Sequence, residues 1–356
     1  ETESPWAHGL VAAPKKACIG RVQHRWAVDY RPLNSETIAD TYPLPSISQN
    51  IERLAGSRVF SALDTAAAYN CIPVAKESRP LLAFITHRGL FTYKRMPFGP
   101  KNSAAVYARF IENLLRKLNS GNVQAYLDDV LIHTGTLEEH LDVLERVLEL
   151  HEYGNLKLRP HKCKIIQKKV DYLGYEVSEE GVAMRKEYID KILEWPRPKT
   201  NKELQTFLGF VSYYRQFIGD FSKLTSEMNG QKKKDKLEWT YQMSKDFEEL
   251  KGQFKEAPIR GYPRYDLPEP FILTTDWSKK AVGGVLSQVQ DGAERMIACV
   301  GRKCTKHEAN YASVKGELAA LVFAVRKFEH LLRYRKFIVK TDSSALKYLK
   351  TLKTPT

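Results

Sequence analysis

The residues of this chain best placed to do chemistry are carboxylates set into apolar runs. In Val123-Gln124-Ala125-Tyr126-Leu127-Asp128-Asp129-Val130-Leu131-Ile132, two aspartates interrupt an apolar stretch. The pattern predicts a strand, a tight turn and a second strand, with Asp128 and Asp129 at the bend. Two like charges side by side repel, and a turn between strands keeps such a pair when a cation neutralises it. Val59-Phe60-Ser61-Ala62-Leu63-Asp64 is a further apolar strand ending in a carboxylate. Oxygen ligands of this kind suit a hard divalent ion such as Mg²⁺. Carboxylates from different strands can hold two metals about 4 Å apart, activating one oxygen and stabilising another as it leaves. A plain solvated turn is the alternative for Asp128–Asp129, since Asp is common in turns.

A second set follows the same logic. Phe271-Ile272-Leu273-Thr274-Thr275-Asp276 and Phe337-Ile338-Val339-Lys340-Thr341-Asp342 are strands ending in Asp. Glu317 stands at the start of a helical pattern formed by Val314, Leu318, Leu321, Val322, Val325 and Phe328. The bland readings are a first-turn charge favoured by the helix dipole for Glu317 and an N-cap for Asp342.

The elements that must position these groups can be read from spacing. Prolines at 32, 43 and 45 punctuate the region before Asp64, where no long helix is expected. Val106, Phe110, Ile111, Leu114 and Leu118 predict a helix over 102–118. Thr136 with Glu139 is a capping-box signature, Leu137, Leu141, Leu144 and Leu148 line one face, and Gly154 is placed as the stop. Thr200 with Glu203 opens another helix, whose stripe is Leu204, Phe207, Leu208, Val211 and Ile218. Pro196 and Pro198 mark one joint, and the proline-rich stretch from Pro258 to Pro270 marks a second. Strand and helix alternating around a carboxylate hairpin suits an antiparallel sheet backed by helices, an α+β fold.

Composition narrows the partners. A length of 356 residues suits two or three domains, and 43% hydrophobic residues can fill sizeable cores. No apolar run is long enough to span a membrane and no signal peptide is expected. The five scattered cysteines argue against a disulfide framework or a zinc site; Cys299 and Cys304 have no His/Cys cluster beside them. The net charge of +14 predicts salt-sensitive contact with phosphates, against the alternative that it serves solubility alone. The Lys232–Lys236 run reads as a solvated loop.

Taken in order, the motifs resemble the reverse transcriptase and RNase H region of the Pol polyprotein of gypsy-type long-terminal-repeat retrotransposons. Ser4-Pro5-Trp6-Ala7 and Arg25-Trp26-Ala27-Val28-Asp29-Tyr30-Arg31-Pro32-Leu33-Asn34 match fingers motifs. Leu63-Asp64 with Tyr69 matches the first catalytic motif, Met96-Pro97-Phe98-Gly99 with Asn102-Ser103-Ala104 the nucleotide pocket, and Tyr126-Leu127-Asp128-Asp129 the catalytic hairpin. His161-Lys162-Cys163 and Tyr172-Leu173-Gly174-Tyr175 match the end of the palm. Trp195 to Thr200, Phe207-Leu208-Gly209-Phe210 and Tyr213-Tyr214-Arg215 match the segment after it.

The resemblance implies a right-hand polymerase with a ferredoxin-like palm, followed by a partial RNase H-like α/β domain. It implies fingers and palm over 1–182, thumb and linker over 183–265, and the RNase H-like domain over 266–356. The implied activity is RNA- and DNA-directed DNA polymerisation with cleavage of RNA in RNA–DNA hybrids. The implied cofactors are two Mg²⁺ or Mn²⁺ ions per active site, held by Asp64, Asp128 and Asp129 in one and by Asp276, Glu317 and Asp342 in the other. Asp64 and Asp128 are expected to bind both ions, with Asp129 less direct. Tyr69, Phe98 and Gly99 are implied to line the nucleotide pocket, Arg25 to clamp the triphosphate with Lys16 or Arg21 nearby, and Tyr172 to Tyr175 to grip the primer. The implied partners are an RNA template, a DNA primer, RNA–DNA hybrid and deoxynucleoside triphosphates, in a cytoplasmic virus-like particle with access to the nucleus and with a homodimer left open.

The chain departs from the family pattern at Pro100-Lys101, at Trp277 where Ala is common and at Ser343 where His is common. It ends at Thr356, before the family's fourth carboxylate, and reads as a fragment with weak or absent hybrid cleavage. A pararetroviral polymerase carries the same motifs. The alternative from another class is a non-catalytic nucleic-acid-binding scaffold or structural subunit derived from a reverse transcriptase.

Overall fold

The computed structural model describes residues 1–14, 24–43, 45–231, 236–333 and 335–341. Lys16, Arg21 and Asp342 lie outside the described residues, as does the Arg25 side chain. The chain divides into two compact units, residues 1–53 with 57–172 and residues 54–56 with 173–356.

The first unit is built on an antiparallel sheet. Its strands run in the order Val123–Tyr126, Asp129–Thr134, Val59–Ala66 and Lys157–Leu158, and Lys164–Gln167 also pairs with Val59–Ala66. The apolar run after Asp129 is there because both of its faces are covered: Val130, Leu131 and Ile132 are 1%, 0% and 0% exposed. Each such fully buried side chain contributes about 1.5–3 kcal/mol. Two six-residue helices, Arg31–Glu36 and Ile47–Glu52, are the only ones described before Asp64, as the prolines predicted. Helix Ser103–Leu115 matches the expected segment, with Ile111 and Leu114 buried.

Helix Leu137–Tyr153 begins where the sequence predicts. The Thr136 hydroxyl accepts from the Glu139 N–H, while the Glu139 carboxylate takes Asn122 instead of closing the box. Its buried face differs from the leucine stripe. Leu137, Leu141 and Leu148 are exposed, and the core side carries His140, Val143, Leu144, Val147 and His151. His140 is buried with both ring nitrogens satisfied, by Ser61 and Thr134, whereas His151 bonds the Val147 carbonyl through Nδ1 and leaves its buried Nε2 without a partner. His140 thereby pins the two central strands from behind. Gly154 does stop the helix, although with an ordinary φ of −78°; Asn155, at +50°, makes the left-handed turn.

In the second unit, hairpin Tyr175–Ser178/Gly181–Met184 leads, among the described residues, to five α-helices, the longest being Asn201–Tyr213 and Tyr241–Lys255. The predicted cap is present, since Thr200 accepts from the Glu203 N–H, and Leu204, Phe207, Leu208, Val211 and Ile218 are all buried. A four-stranded sheet follows in the order Ala293–Lys303, Ala281–Gln290, Phe271–Trp277 and Phe337–Lys340, the last pair parallel. Helix Ser313–Lys327 packs on it with a rotated face. Gly316, Glu317, Ala320 and Ala324 are buried, while Val314 and Val322 of the expected stripe are exposed. Small residues let this helix lie close to the sheet: a Cβ on Gly284 would meet Ala324 Cβ at 2.7 Å.

The stretch between helices and sheet is bonded on both sides. Val182 and Arg260 exchange both backbone hydrogen bonds, at 2.8 and 2.9 Å. The Gly261 N–H donates to the Met296 carbonyl at 2.8 Å, and Arg260 Nε donates to that of Ile297 at 2.9 Å. No described helix is long and apolar enough to cross a membrane.

Candidate active site

The hairpin of strands Val123–Tyr126 and Asp129–Thr134 has a two-residue turn. Tyr126 pairs with Asp129, leaving Leu127 and Asp128 at the bend, with Leu127 in the left-handed region at φ 52°. Such a conformation costs a non-glycine residue about 1 kcal/mol or more and persists where its surroundings fix it. Asp129 is therefore the first residue of the returning strand, rather than part of the bend. There it stands directly opposite Asp64, whose strand runs on to Ala66. Residues directly opposite in an antiparallel pair share one face, so the two carboxylates are neighbours.

The electrostatics report that crowding. Asp129 reaches solvent at the rim. Nevertheless its carboxyl is pushed above the usual range, first by burial and then by the charges of Asp128 and Asp64. Asp64 has cations beside it that the sequence did not reveal. Arg159 Nη1 lies 3.0 Å from Oδ1 and Lys162 Nζ 3.8 Å from Oδ2. Among the described residues, no three Asp, Glu, His or Cys side chains converge closely enough to hold an ion.

Tyr69 follows Asp64 on a short 3₁₀ turn, Ala68–Cys71. Its ring is buried between Phe98, 4.5 Å between centroids, and Tyr107, 5.2 Å. Burial and then the Asp128 charge raise its phenol pKa. Phe98 is half-exposed, and Gly99 has a φ of +110° with Tyr30 Cδ2 only 3.1 Å from where a Cβ would stand. Glycine is required there on both counts. Asn34 fixes this turn, donating to the Gly99 carbonyl at 2.9 Å and accepting from the Lys101 N–H at 2.7 Å. Lys101, a departure from the family pattern, ties down the Asn34 and Thr37 carbonyls.

The grip motif is split between the units. Tyr172 is buried at the end of the first. In the second, Leu173 and Gly174 turn with φ of 49° and 81°. The Tyr213 hydroxyl donates to the Leu173 carbonyl at 2.6 Å, that of Tyr214 to the Gly174 carbonyl at 3.1 Å, and Tyr175 stacks on Tyr213. The tyrosine pair thus serves to hold that turn.

In the second candidate site, Asp276 lies opposite Gly283 on the exposed face of its strand. It opens onto a cleft of about 300 Å³ that Asp220, Ser222, Lys223 and Gln253 also line. Glu317 is 5% exposed. Trp277 packs face-on against Gly316, the neighbour of Glu317.

These arrangements agree with comparisons to known proteins. Residues 13–177 match the family model for reverse transcriptase (RNA-dependent DNA polymerase), and residues 266–356 match an RNase H-like domain found in reverse transcriptase. The retrovirus-related Pol polyprotein from transposon 297 of Drosophila melanogaster is 35% identical over 362 residues, which cover 100% of this chain and 33% of that polyprotein. The transposon Tf2-3 polyprotein of Schizosaccharomyces pombe is 36% identical over 322 residues, 89% of this chain and 24% of that polyprotein. The chain thus spans a third or less of these curated relatives. The foamy viral protease-reverse transcriptase solved with dsDNA superposes with a TM-score of 0.86 at 22% identity, over 99% of this chain and 73% of that one. The same viral protein solved with RNA/DNA hybrid gives 0.79 at 21%, over 99% and 48%. Family models, relatives and fold agree, and the chain belongs to the reverse transcriptase and RNase H-like region of the Pol polyproteins of long-terminal-repeat retrotransposons.

Proposed function

We propose that this chain extends a primer 3′-hydroxyl with deoxynucleotides on an RNA or DNA template, and that its RNase H-like domain acts on RNA in RNA–DNA hybrids. The observation that carries the reading is the placement of Asp64 opposite Asp129, beside the Leu127–Asp128 turn, with buried Tyr69 next along the chain. The chemistry of the donors, rather than a preformed cluster among the described residues, suits divalent ions. They are hard carboxylate oxygens, and Asp64 Oδ1 is buried, accepts no hydrogen bond and faces a guanidinium. Asp64, Asp128 and Asp129 would hold Mg²⁺ or Mn²⁺, which when bound lowers the pKa of an attacking hydroxyl and neutralises phosphate charge.

The chain's own residues supply position. Tyr69, wedged between Phe98 and Tyr107, is a fixed wall for the incoming sugar. Gly99, held by Asn34, allows close approach at the pocket floor. The net charge of +14 favours template and primer phosphates. In the second domain, Asp276, Glu317 and Asp342 are the residues proposed for hydrolysis. Primer extension on an RNA template with Mg²⁺, wild type beside Asp128→Asn, tests the polymerase reading. The variant is expected to lose extension; equal extension by the two proteins would leave the carboxylates without a catalytic part.

A further inference from the structure

Asp64 is not left to repel its neighbours. The pairing of Thr65 with Leu158 brings the returning chain alongside it, and the Arg159 N–H donates to the Asp64 carbonyl at 3.0 Å. The turn Pro160–Lys162 then closes on Arg159: the N–H groups of Lys162 and Cys163 donate to its carbonyl at 2.9 and 3.2 Å. The Arg159 backbone is thus fixed beside Asp64, while its side chain, 39% exposed, stays able to swing. Its guanidinium lies 3.0 Å from an oxygen that accepts no hydrogen bond from it. The contact is charge against charge without the aligned N–H that would lock it.

An ion bound by the three carboxylates would take over Asp64 and repel this guanidinium. The group that then becomes attractive to it is the most highly charged one the site receives, a nucleoside triphosphate. Guanidinium matches phosphate oxygens in a bidentate manner. We propose that Arg159 is a triphosphate-binding residue that rests on Asp64 as a stand-in cation until a divalent ion displaces it. This rests on the polymerase reading above for its ligand, although not for its first test.

That test titrates Mn²⁺ alone into the full chain without nucleotide, following free Mn²⁺ by electron paramagnetic resonance. Arg159→Ala is expected to bind Mn²⁺ about two- to fivefold more tightly than wild type, the range for loss of a partly exposed competing pair. Arg159→Gln, which keeps most of the side chain, should do the same, so a folding defect in one variant does not decide the matter. Asp64→Asn should weaken the binding. The second arm measures deoxynucleoside triphosphate binding to a complex whose primer ends in a dideoxynucleotide, at saturating Mn²⁺. Arg159→Ala should bind at least about tenfold more weakly, with partial recovery in Arg159→Lys. Unchanged Mn²⁺ affinity in both neutral variants overturns the stand-in role, and unchanged triphosphate affinity overturns the phosphate role. Failure of the polymerase reading shows separately, as wild-type protein that binds Mn²⁺ and extends no primer.

Discussion

Trp277 and Gly316 form a pair whose coupling can be worked out before it is measured. A Cβ on Gly316 would lie 2.2, 2.4 and 2.6 Å from Cδ2, Cε2 and Cε3 of the indole. Carbon atoms rest at about 3.5–4.0 Å, so Gly316→Ala must push ring or helix by more than about 1 Å. Overpacking of this kind costs about 1–3 kcal/mol, offset by about 1 kcal/mol because alanine favours the helix over glycine. The net loss expected in the native background is up to about 2 kcal/mol. In Trp277→Ala the obstacle is gone, and the same Gly316→Ala change becomes stabilising by about 1 kcal/mol. The coupling is therefore about 1–3 kcal/mol, with a change of sign wherever overpacking exceeds the helix gain. Hydrogen exchange of amides in helix Ser313–Lys327, read in the full chain, measures it locally. Each 1.4 kcal/mol appears as about a tenfold change in protection. Equal effects of Gly316→Ala with and without Trp277 would refute the packing argument. The pair also shows why a large residue is tolerated beside Asp276: the helix has given up its side chain at the point of contact.

Two further outcomes follow from the first unit. Tyr69→Val should relax rejection of ribonucleotides by about tenfold or more in single-nucleotide insertion, because Phe98 and Tyr107 leave the ring nowhere else to go; undiminished rejection removes Tyr69 from the pocket. His133 is held neutral by burial, with its pKa lowered to about 4, between Ser57 on Nδ1 and Gln124 on Nε2. An amide nitrogen only donates, so Nε2 accepts and Nδ1 carries the proton. The unfolded chain binds that proton from about pH 6.5 downward. Stability present above that pH is therefore lost as pH falls toward 4, by about 3 kcal/mol in all. His133→Gln should flatten that slope in urea unfolding followed through the first unit, and an unaltered slope would acquit the histidine.

The hairpin around Asp128 and Asp129 was legible because its signal is local: two apolar runs and two charges suffice to place it. The helix starts at Thr136 and Thr200 were legible for the same reason. Helix faces were less so. In Leu137–Tyr153 a count of leucines points the wrong way, because the core side carries His140, whose burial depends on a hydrogen bond to the distant Ser61. In Ser313–Lys327 the sheet selects small residues, which carry no hydropathic signal. Arg159 was invisible as a partner of Asp64 because their meeting depends on the pairing of Thr65 with Leu158, a contact spanning most of the first unit.

The proline-rich passage from Pro258 to Pro270 looks like a tether in the sequence. Its Arg260 and Gly261 are instead bonded to Val182 on one side and to Met296 and Ile297 on the other. It works as a seam. Load applied to the Phe271–Trp277 sheet would pass through shared backbone hydrogen bonds into the Gly181–Met184 strand, and a protease would find little slack to cut. Dissecting the chain at these prolines would strand unpaired peptide groups on both pieces, so the helices and the sheet of the second unit are better regarded as inheriting one another's stability than as beads on a string.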